Sequence, residues 1–156
     1  KIIKRDNFIK KNDKNFLKSY FEPNLCIKFS RYLKFFASSS IDISDGLFQD
    51  LKHIIDQSKV GAIVNVNLVP ISKDLRNFSK KNNIELYKLI SHGDDYQILF
   101  TSNKKNRNKI KKISKKTKTK ISLIGTIAKG RKLTILYNDR IINNSFKKSG
   151  YIHTFN

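Results

Sequence analysis

The 156-residue sequence predicts an α/β (α+β) fold in which a mixed β-sheet is flanked by helices. Strand-like and helix-like stretches alternate along the chain, which is typical of this class. The sharpest such passage covers residues 37–58, where Ile41 and Ile43 occupy alternate positions before an amphipathic helix begins. Its apolar stripe is spaced i, i+4, i+7 and i+8, as one buried helix face requires: Leu47, Leu51, Ile54 and Ile55.

The remaining elements follow from the same periodicities and from turn residues. Pro23 suits the first turn of a helix whose apolar positions extend over 25–36, and Ser72 is a suitable cap for another helix. We predict helices over 25–36, about 45–58, 72–78, 84–90 and 102–118, and strands over 60–67 (ended by residues 68–70), 96–101, 120–124, 126–128, 133–137 and 140–142, with Gly125 as a bend.

The composition is strongly basic, with 33 Lys and Arg against 12 Asp and Glu and a net charge of +21. Such a surface binds polyanions, including nucleic acid, non-specifically and in a salt-dependent way. The basic residues are nearly all Lys, accompanied by many Asn and Ile, which is also what an AT-rich genome produces at unconstrained surface positions. Arg, the residue preferred for bidentate contacts to phosphate and guanine, is scarce.

The cysteine content and hydropathy exclude several classes of protein. The single cysteine, Cys26, rules out an internal disulfide and a cysteine metal cluster, and we expect it to fill a small buried apolar position. No apolar run is long enough to span a bilayer and no signal-peptide pattern is present. We therefore expect a cytoplasmic protein with no membrane partner.

Two carboxylates and a hydroxyl occupy the predicted turn from strand to helix. Asp42 and Asp45 are hard oxygen donors three residues apart, a spacing that could serve Mg²⁺ held jointly with substrate phosphates. Ser44 could donate a hydrogen bond to a phosphate oxygen, Gly46 permits close approach, and the helix N-terminus offers N–H groups to an anion. The alternative is structural, since Ser44 or Asp45 could simply cap the helix.

A second acidic turn precedes the strand predicted over 96–101. Gly93 permits a tight turn, and the adjacent carboxylates Asp94 and Asp95 repel each other. A cation or a ligand donor is therefore expected nearby. The alternative is a solvated turn in which Asp95 caps backbone N–H groups.

Three stretches taken together resemble the C-terminal half of the thiamine-monophosphate kinase family. They are Ile41–Leu47 (IDISDGL), Gly93–Thr101 (GDDYQILFT) and Gly150–His153 (GYIH), and they occur in the family's order. That family belongs to the superfamily of aminoimidazole ribonucleotide synthetase, selenophosphate synthetase and the hydrogenase-maturation dehydratase. The resemblance implies a fold like the C-terminal domain of aminoimidazole ribonucleotide synthetase, with ferredoxin-like features.

The resemblance also implies an activity, the ATP-dependent phosphorylation of thiamine monophosphate to thiamine diphosphate. Asp42 and Asp45 would be Mg²⁺ ligands and Ser44 an ATP contact. Asp94 would stand where the family has a substrate-binding Glu, and Tyr151 where an aromatic residue lies against the thiamine. The chain departs from the family motif in having Asp94 in place of that Glu and His92 in place of a glycine.

The family carries an N-terminal domain, which supplies further acidic metal ligands and builds a homodimer, and nothing in this chain matches it. We therefore expect residues 1–20 to be a linker or leading helix and residues 21–156 to be the C-terminal domain, inactive alone. Two other hypotheses stay open: another ATP-dependent enzyme of the superfamily, and a basic nucleic-acid-binding module. The latter needs exposed aromatic residues, whereas the apolar patterns predict burial of Phe29, Phe36, Phe48 and Phe100.

Overall fold

The computed structural model describes residues 14–142, so the predicted contact of Tyr151 lies outside the described residues. Within them, helices and strands follow one another in this order: α1 (Lys14–Phe21), α2 (Ile27–Ser30), β1 (Ala37–Asp42), α3 (Leu47–Ser58), β2 (Gly61–Asn65), α4 (Lys73–Lys81), α5 (Leu86–Ile90), β3 (Ile98–Ser102), α6 (Arg107–Thr117), β4 (Gly125–Ala128), β5 (Leu133–Tyr137) and β6 (Arg140–Ile141). Short 3₁₀ turns cover Leu33–Phe35, Val66–Leu68 and Lys104–Asn106.

The strands form two sheets. Strands β1 and β3 make an antiparallel pair in which Asp42 lies opposite Ile98. The second sheet has the order β4-β2-β5-β6, and it is mixed because β2 runs antiparallel to β4 but parallel to β5. The predicted mixed sheet with flanking helices is confirmed, and the structure adds the separate β1–β3 pair.

Helix α3 joins the two sheets through a shared core. Its predicted apolar stripe is fully buried, and Ile55 has no exposed surface. This stripe packs with Val64 and Ile135 of the mixed sheet and with Leu99 of β3. The amphipathic pattern therefore fixes α3 against both sheets, and with it the position of the loop that leads from β1 into α3.

A second core cluster holds α6 against the segment before β1. Phe29, Phe36 and Ile113 are buried in it, and Phe100 is partly buried against them. The rings of Phe29, Phe36 and Phe100 contact each other with centroids 5.6–5.8 Å apart. The predicted burial of Phe29, Phe36 and Phe48 is confirmed.

Two element predictions were wrong, for physical reasons that the structure shows. The helix expected over 25–36 is only the short α2 followed by a 3₁₀ turn, and the contact between the Phe29 and Phe36 rings bridges the break. The strand expected over 120–124 is irregular, because Ile121 packs on one core cluster and Ile124 on the other rather than in a sheet.

Gly125, expected as a bend, is instead the first residue of β4. It pairs with Val64, and a Cβ at this position would lie 2.2 Å from the carbonyl oxygen of Ile63. The close approach of the two strands therefore explains this glycine. Ser72 caps α4 as predicted, accepting the N–H of Leu75 at 3.1 Å. Among the described residues, no helix has both the length and the apolar character needed to cross a membrane.

Candidate metal and phosphate site

The loop between β1 and α3 differs from the predicted helix start. Helix α3 begins at Leu47 rather than at Asp45, and its N-cap is Gly46, with a backbone φ of 125°. Neither Ser44 nor Asp45 caps the helix with its side chain. The structural alternative for these two residues, helix capping, is therefore wrong, and both side chains are available for another role.

The loop before α3 is held instead by Asp50, a residue that the sequence did not single out. One oxygen of its carboxylate accepts the backbone N–H groups of Ser44, Asp45 and Gly46 at 3.1, 3.2 and 3.1 Å. Asp50 is only 1% exposed. Burial raises the pKa of Asp50 and the nearby charge of Asp45 raises it further, while the three N–H donors oppose the rise.

Asp50 occupies the backbone donors of the loop that precedes α3. The N–H groups of Ser44, Asp45 and Gly46 donate to this internal carboxylate and are therefore not free to bind a phosphate. The sequence did hold a signal, because Asp50 falls on the apolar stripe, three residues after Leu47 and four before Ile54. A carboxylate on a buried helix face requires buried donors.

The second acidic turn docks directly onto this loop. The N–H of Asp94 donates to the Ser44 carbonyl at 2.9 Å, and the N–H of Tyr96 donates to the Ile43 carbonyl at 2.8 Å. The N–H of Ile43 in turn donates to the Gln97 carbonyl at 2.8 Å. Two segments about 50 residues apart in sequence are thus held together by backbone hydrogen bonds at the ends of β1 and β3.

The glycines predicted to support the site permit this docking. A Cβ on Gly93 would lie 1.9 Å from the Ser44 carbonyl oxygen, and one on Gly46 would lie 2.4 Å from the Ser91 carbonyl oxygen. No side chain fits at either contact without moving the backbone. Each glycine therefore lets one loop approach the other.

The docked loops form an acidic corner, which we define as Asp42, Asp45, Asp94 and Asp95. Asp42, Asp94 and Asp95 are exposed and Asp45 is half-buried, with the Gln49 amide donating to it at 3.4 Å. Among residues 14–142, no Lys or Arg forms an ion pair with these carboxylates, although the chain has 33 such residues. The predicted site residues of both loops thus lie on connected backbone, and their negative charge is not neutralised by described basic side chains.

The acidic turn is electrostatically and conformationally strained. Desolvation of the carboxyl group, followed by the neighbouring charge of Asp94, raises the pKa of Asp95 from 3.8 to about 6, although the residue as a whole is exposed. Asp94 and Tyr96 both have positive φ angles, 71° and 50°, which residues other than glycine seldom adopt. Strain of this kind clusters at functional sites.

His53 of α3 lies beside the corner. A ligand atom of His53 and carboxylate oxygens of Asp45 and Asp50 all lie within 4.8 Å of one another. Asp42 is outside that group of three. The spacing arises because Asp45 precedes α3 while Asp50 and His53 occupy successive turns of the helix.

Cys26 lies at the other side of the acidic turn. It is half-buried, its thiol lies 3.5 Å from the Gln97 side-chain oxygen, and burial raises its pKa. A raised pKa keeps the thiol protonated at neutral pH. This agrees with a packing role, although the residue is less buried than expected.

Comparisons with known proteins match most of this chain, including both acidic loops. The family described as "AIR synthase related protein, C-terminal domain" matches residues 8–138. A curated relative from Buchnera aphidicola subsp. Acyrthosiphon pisum, thiamine-monophosphate kinase, is 37% identical over 97% of this chain but only 47% of its own length. The chain thus spans about half the length of this relative.

Solved structures show the same fold. Thiamine-monophosphate kinase from Stenotrophomonas maltophilia K279a superposes with a TM-score of 0.72 at 28% identity, over 81% of this chain and 40% of that one. AaThiL complexed with AMPPCP and TMP superposes with a TM-score of 0.75 at 21% identity, over 98% of this chain and 45% of that one. At that identity the second comparison concerns the fold alone.

Replacing Asp50 tests whether its carboxylate organises the loop. Asp50→Ala should lower the free energy of unfolding by about 3 kcal/mol or more, because three buried or partly buried N–H groups lose their acceptor. Asp50→Asn, which retains one oxygen, should lose about half as much. Asp56→Ala is the control on the same helix: its side chain is 53% exposed, so the loss should stay below about 1 kcal/mol. Urea unfolding measures all three, and equal losses for Asp50→Ala and Asp56→Ala would contradict the assignment.

The raised pKa of Asp95 predicts a pH dependence of stability. The folded chain binds the Asp95 proton more tightly than the unfolded chain does. The resulting contribution to the free energy of unfolding is therefore complete below about pH 4 and is lost as the pH rises through about 6. Asp95→Asn should therefore flatten the fall in unfolding free energy over this window. Asp139→Asn, in the turn between β5 and β6, serves as the control. An Asp95→Asn profile parallel to that of the parent chain would be the opposing result.

Proposed function

The chain belongs to the family of AIR synthase related protein C-terminal domains, and from this we propose that it is the C-terminal part of a thiamine-monophosphate kinase. The complete protein would transfer the terminal phosphoryl group of ATP to thiamine monophosphate, giving thiamine diphosphate, as a step of thiamine diphosphate biosynthesis in the cytoplasm. The relatives that bear this activity in their names match nearly the whole of this chain.

The acidic corner is the observation that carries the proposal. Four carboxylates from two segments stand on loops joined by three backbone hydrogen bonds, without a described basic side chain to neutralise them. Such a concentration of unpaired negative charge is costly unless a cation occupies it during function. Phosphoryl transfer depends mainly on positioning and on neutralising the charge of the phosphates, which is the role that an acidic corner with divalent cations can perform.

The donor set fits Mg²⁺, which prefers carboxylate oxygens and shares its coordination with substrate phosphates. In this proposal Asp42 and Asp45 hold the ion, which when bound would neutralise the phosphate oxygens of ATP. Ser44 lies between the two ligands, and its hydroxyl would donate to a phosphate of ATP. Asp94, held 2.9 Å from the Ser44 carbonyl through its N–H, would face thiamine monophosphate from the second loop.

The proposal also accounts for the orientation of the ligands. Asp50 fixes the backbone of Ser44 and Asp45 from inside the protein, and neither of these side chains caps α3. The acceptor of the transfer is already a phosphate oxyanion at neutral pH, so no strong general base is required of this chain. Its residues bind and orient the reactants.

The rest of the site would come from outside this chain. The chain spans about half the length of its curated relatives, and we propose that the other half supplies further acidic ligands and the contacts of a homodimer. The boundary that we propose for the C-terminal domain, residue 21, coincides with the last residue of α1.

The proposal predicts that this chain does not turn over alone but becomes active when completed. The purified chain with MgATP and thiamine monophosphate should give no steady formation of thiamine diphosphate by liquid chromatography. Fusion to the part of the Buchnera aphidicola relative that precedes the matched region should restore it. In that fusion, Asp42→Asn and Asp45→Asn should each lower kcat by about 100-fold or more, because the charge on the transferred phosphate loses stabilisation.

The matched control is Asp139→Asn in the same fusion, which should retain full activity because Asp139 lies in the β5–β6 turn. Steady turnover by the chain alone would contradict the proposed division of the site. Unchanged kcat in both corner variants would contradict the proposed metal ligands.

A further inference from the structure

A basic groove lies along α6, near the start of β1 and thus at the opposite end of that strand from Asp42. We call it the α6 groove and define it by the residues that line two adjoining clefts: Lys28, Arg31, Tyr32, Phe35, Lys109, Lys112, Ile113, Lys116 and Thr117. The clefts have volumes of about 350 and 210 Å³. Among residues 14–142, no carboxylate lines either of them.

Two aromatic rings form the floor of the groove and are accessible from outside. Phe35 is 54% exposed and Tyr32 is half-buried, with their ring centroids 6.4 Å apart. The burial predicted from the sequence, which disfavoured nucleic-acid binding, concerned Phe29, Phe36, Phe48 and Phe100 and did not include Phe35. Apolar rings of this size are usually buried, so an exposed pair in a groove indicates a binding surface.

Lysines surround both rings at close range. The ammonium group of Lys109 lies 5.5 Å from the Phe35 ring centroid, and that of Lys116 lies 5.5 Å from the Tyr32 centroid. Lys109 also donates to the Phe35 carbonyl at 3.1 Å, which fixes α6 against the aromatic segment. These ammonium groups, with that of Lys34 at 5.2 Å from the Phe35 centroid, lie over the rings. A base that stacks on either ring would displace a lysine, whose ammonium group would then be placed to contact the attached phosphate.

The shape of the groove favours a polymer over a small molecule. The two clefts share Tyr32 and Lys116, so they adjoin each other. Basic residues line both of them, with Lys28 and Arg31 in one and Lys109 and Lys112 in the other. A positive groove with aromatic platforms is the general arrangement by which proteins bind single strands without sequence preference.

We propose that the α6 groove binds single-stranded nucleic acid, with bases stacking on Phe35 and Tyr32 and phosphates contacting Lys28, Lys112 and Lys116. The groove is separate from the acidic corner, and the inference does not depend on the proposed kinase activity. An acidic polypeptide would satisfy the charge but would leave the rings unused, and duplex DNA would present no free base faces. The expected binding is independent of sequence and sensitive to salt.

Fluorescence anisotropy tests this proposal. A labelled 15-nucleotide oligothymidine is titrated with the full 156-residue chain at several salt concentrations. The groove variant K28Q/K112Q/K116Q should reduce the slope of log affinity against log salt by about 2, since each phosphate contact on a single strand contributes about 0.7. The control K73Q/K80Q/K81Q removes the same charge from α4 and should leave the slope nearly unchanged.

A second pair of variants tests the aromatic floor. Phe35→Leu should weaken binding roughly fivefold or more through lost stacking, whereas Phe21→Leu, at a residue 72% exposed outside the groove, should not. Phe35 is half-exposed and contributes to neither core cluster, so its replacement should preserve the unfolding midpoint.

The proposal is overturned if the α4 triple variant loses as much of the salt slope as the groove triple variant. It is also overturned if Phe35→Leu binds the oligonucleotide as tightly as the parent chain does. A third opposing result is that poly-L-glutamate displaces the oligonucleotide equally well from the parent chain and from Phe35→Leu. Each of these results would mean that diffuse positive charge, and not a built groove, accounts for the binding.

Discussion

The candidate site depends on one constraint: the loop after β1 is held from two sides. From inside, the buried Asp50 carboxylate accepts three successive N–H groups of residues 44–46. From the neighbouring strand end, the turn that contains Asp94 donates to the carbonyls of Ile43 and Ser44. The loop therefore has neither its N–H groups nor these carbonyls free, and its conformation does not rely on the side chains of Ser44 and Asp45. That independence is what makes those side chains available to a ligand.

Much of the architecture could be predicted from local sequence because it follows from periodicity. The stripe on α3 and the alternation in β1 each depend on residues within one element, and both predictions are confirmed. The errors occurred where the pattern arises from packing between distant segments. Ile121 and Ile124 are apolar because each enters a different core, and Gly125 is required by close contact with β2 rather than by a turn. These contacts involve residues that are distant in sequence, so they produce no periodic pattern in the local sequence.

In the candidate site, too, the local features could be predicted from the sequence and the contacts between distant segments could not. Residue types and order indicated both acidic loops, and Gly46 was linked to a close approach, whereas Gly93 was expected only to permit a tight turn. The role of Asp50 was missed because a carboxylate in the first turn of a helix is ordinarily a surface residue, and only its coincidence with the apolar stripe marks it as buried. The pairing of the two loops required the register of β1 with β3, which no local pattern specifies.

Charge in this chain is distributed unevenly, and each of the two proposed sites lies in a region of one sign. Five of the 12 acidic residues belong to the loops and helix turn around the acidic corner, whereas the charged residues that the structure describes along the α6 groove are all basic. The two regions lie toward opposite ends of β1, so a divalent cation and a polyanion would be attracted to different parts of one surface.

The most direct test of the central claim is a titration of the ¹⁵N-labelled chain with Mn²⁺, followed by paramagnetic broadening of its amide resonances. If the two loops form one cation site, the amides of residues 42–46 and 93–96 should broaden together, before those of the rest of the chain. Broadening confined to one of the two loops, or centred elsewhere in the fold, would contradict the account.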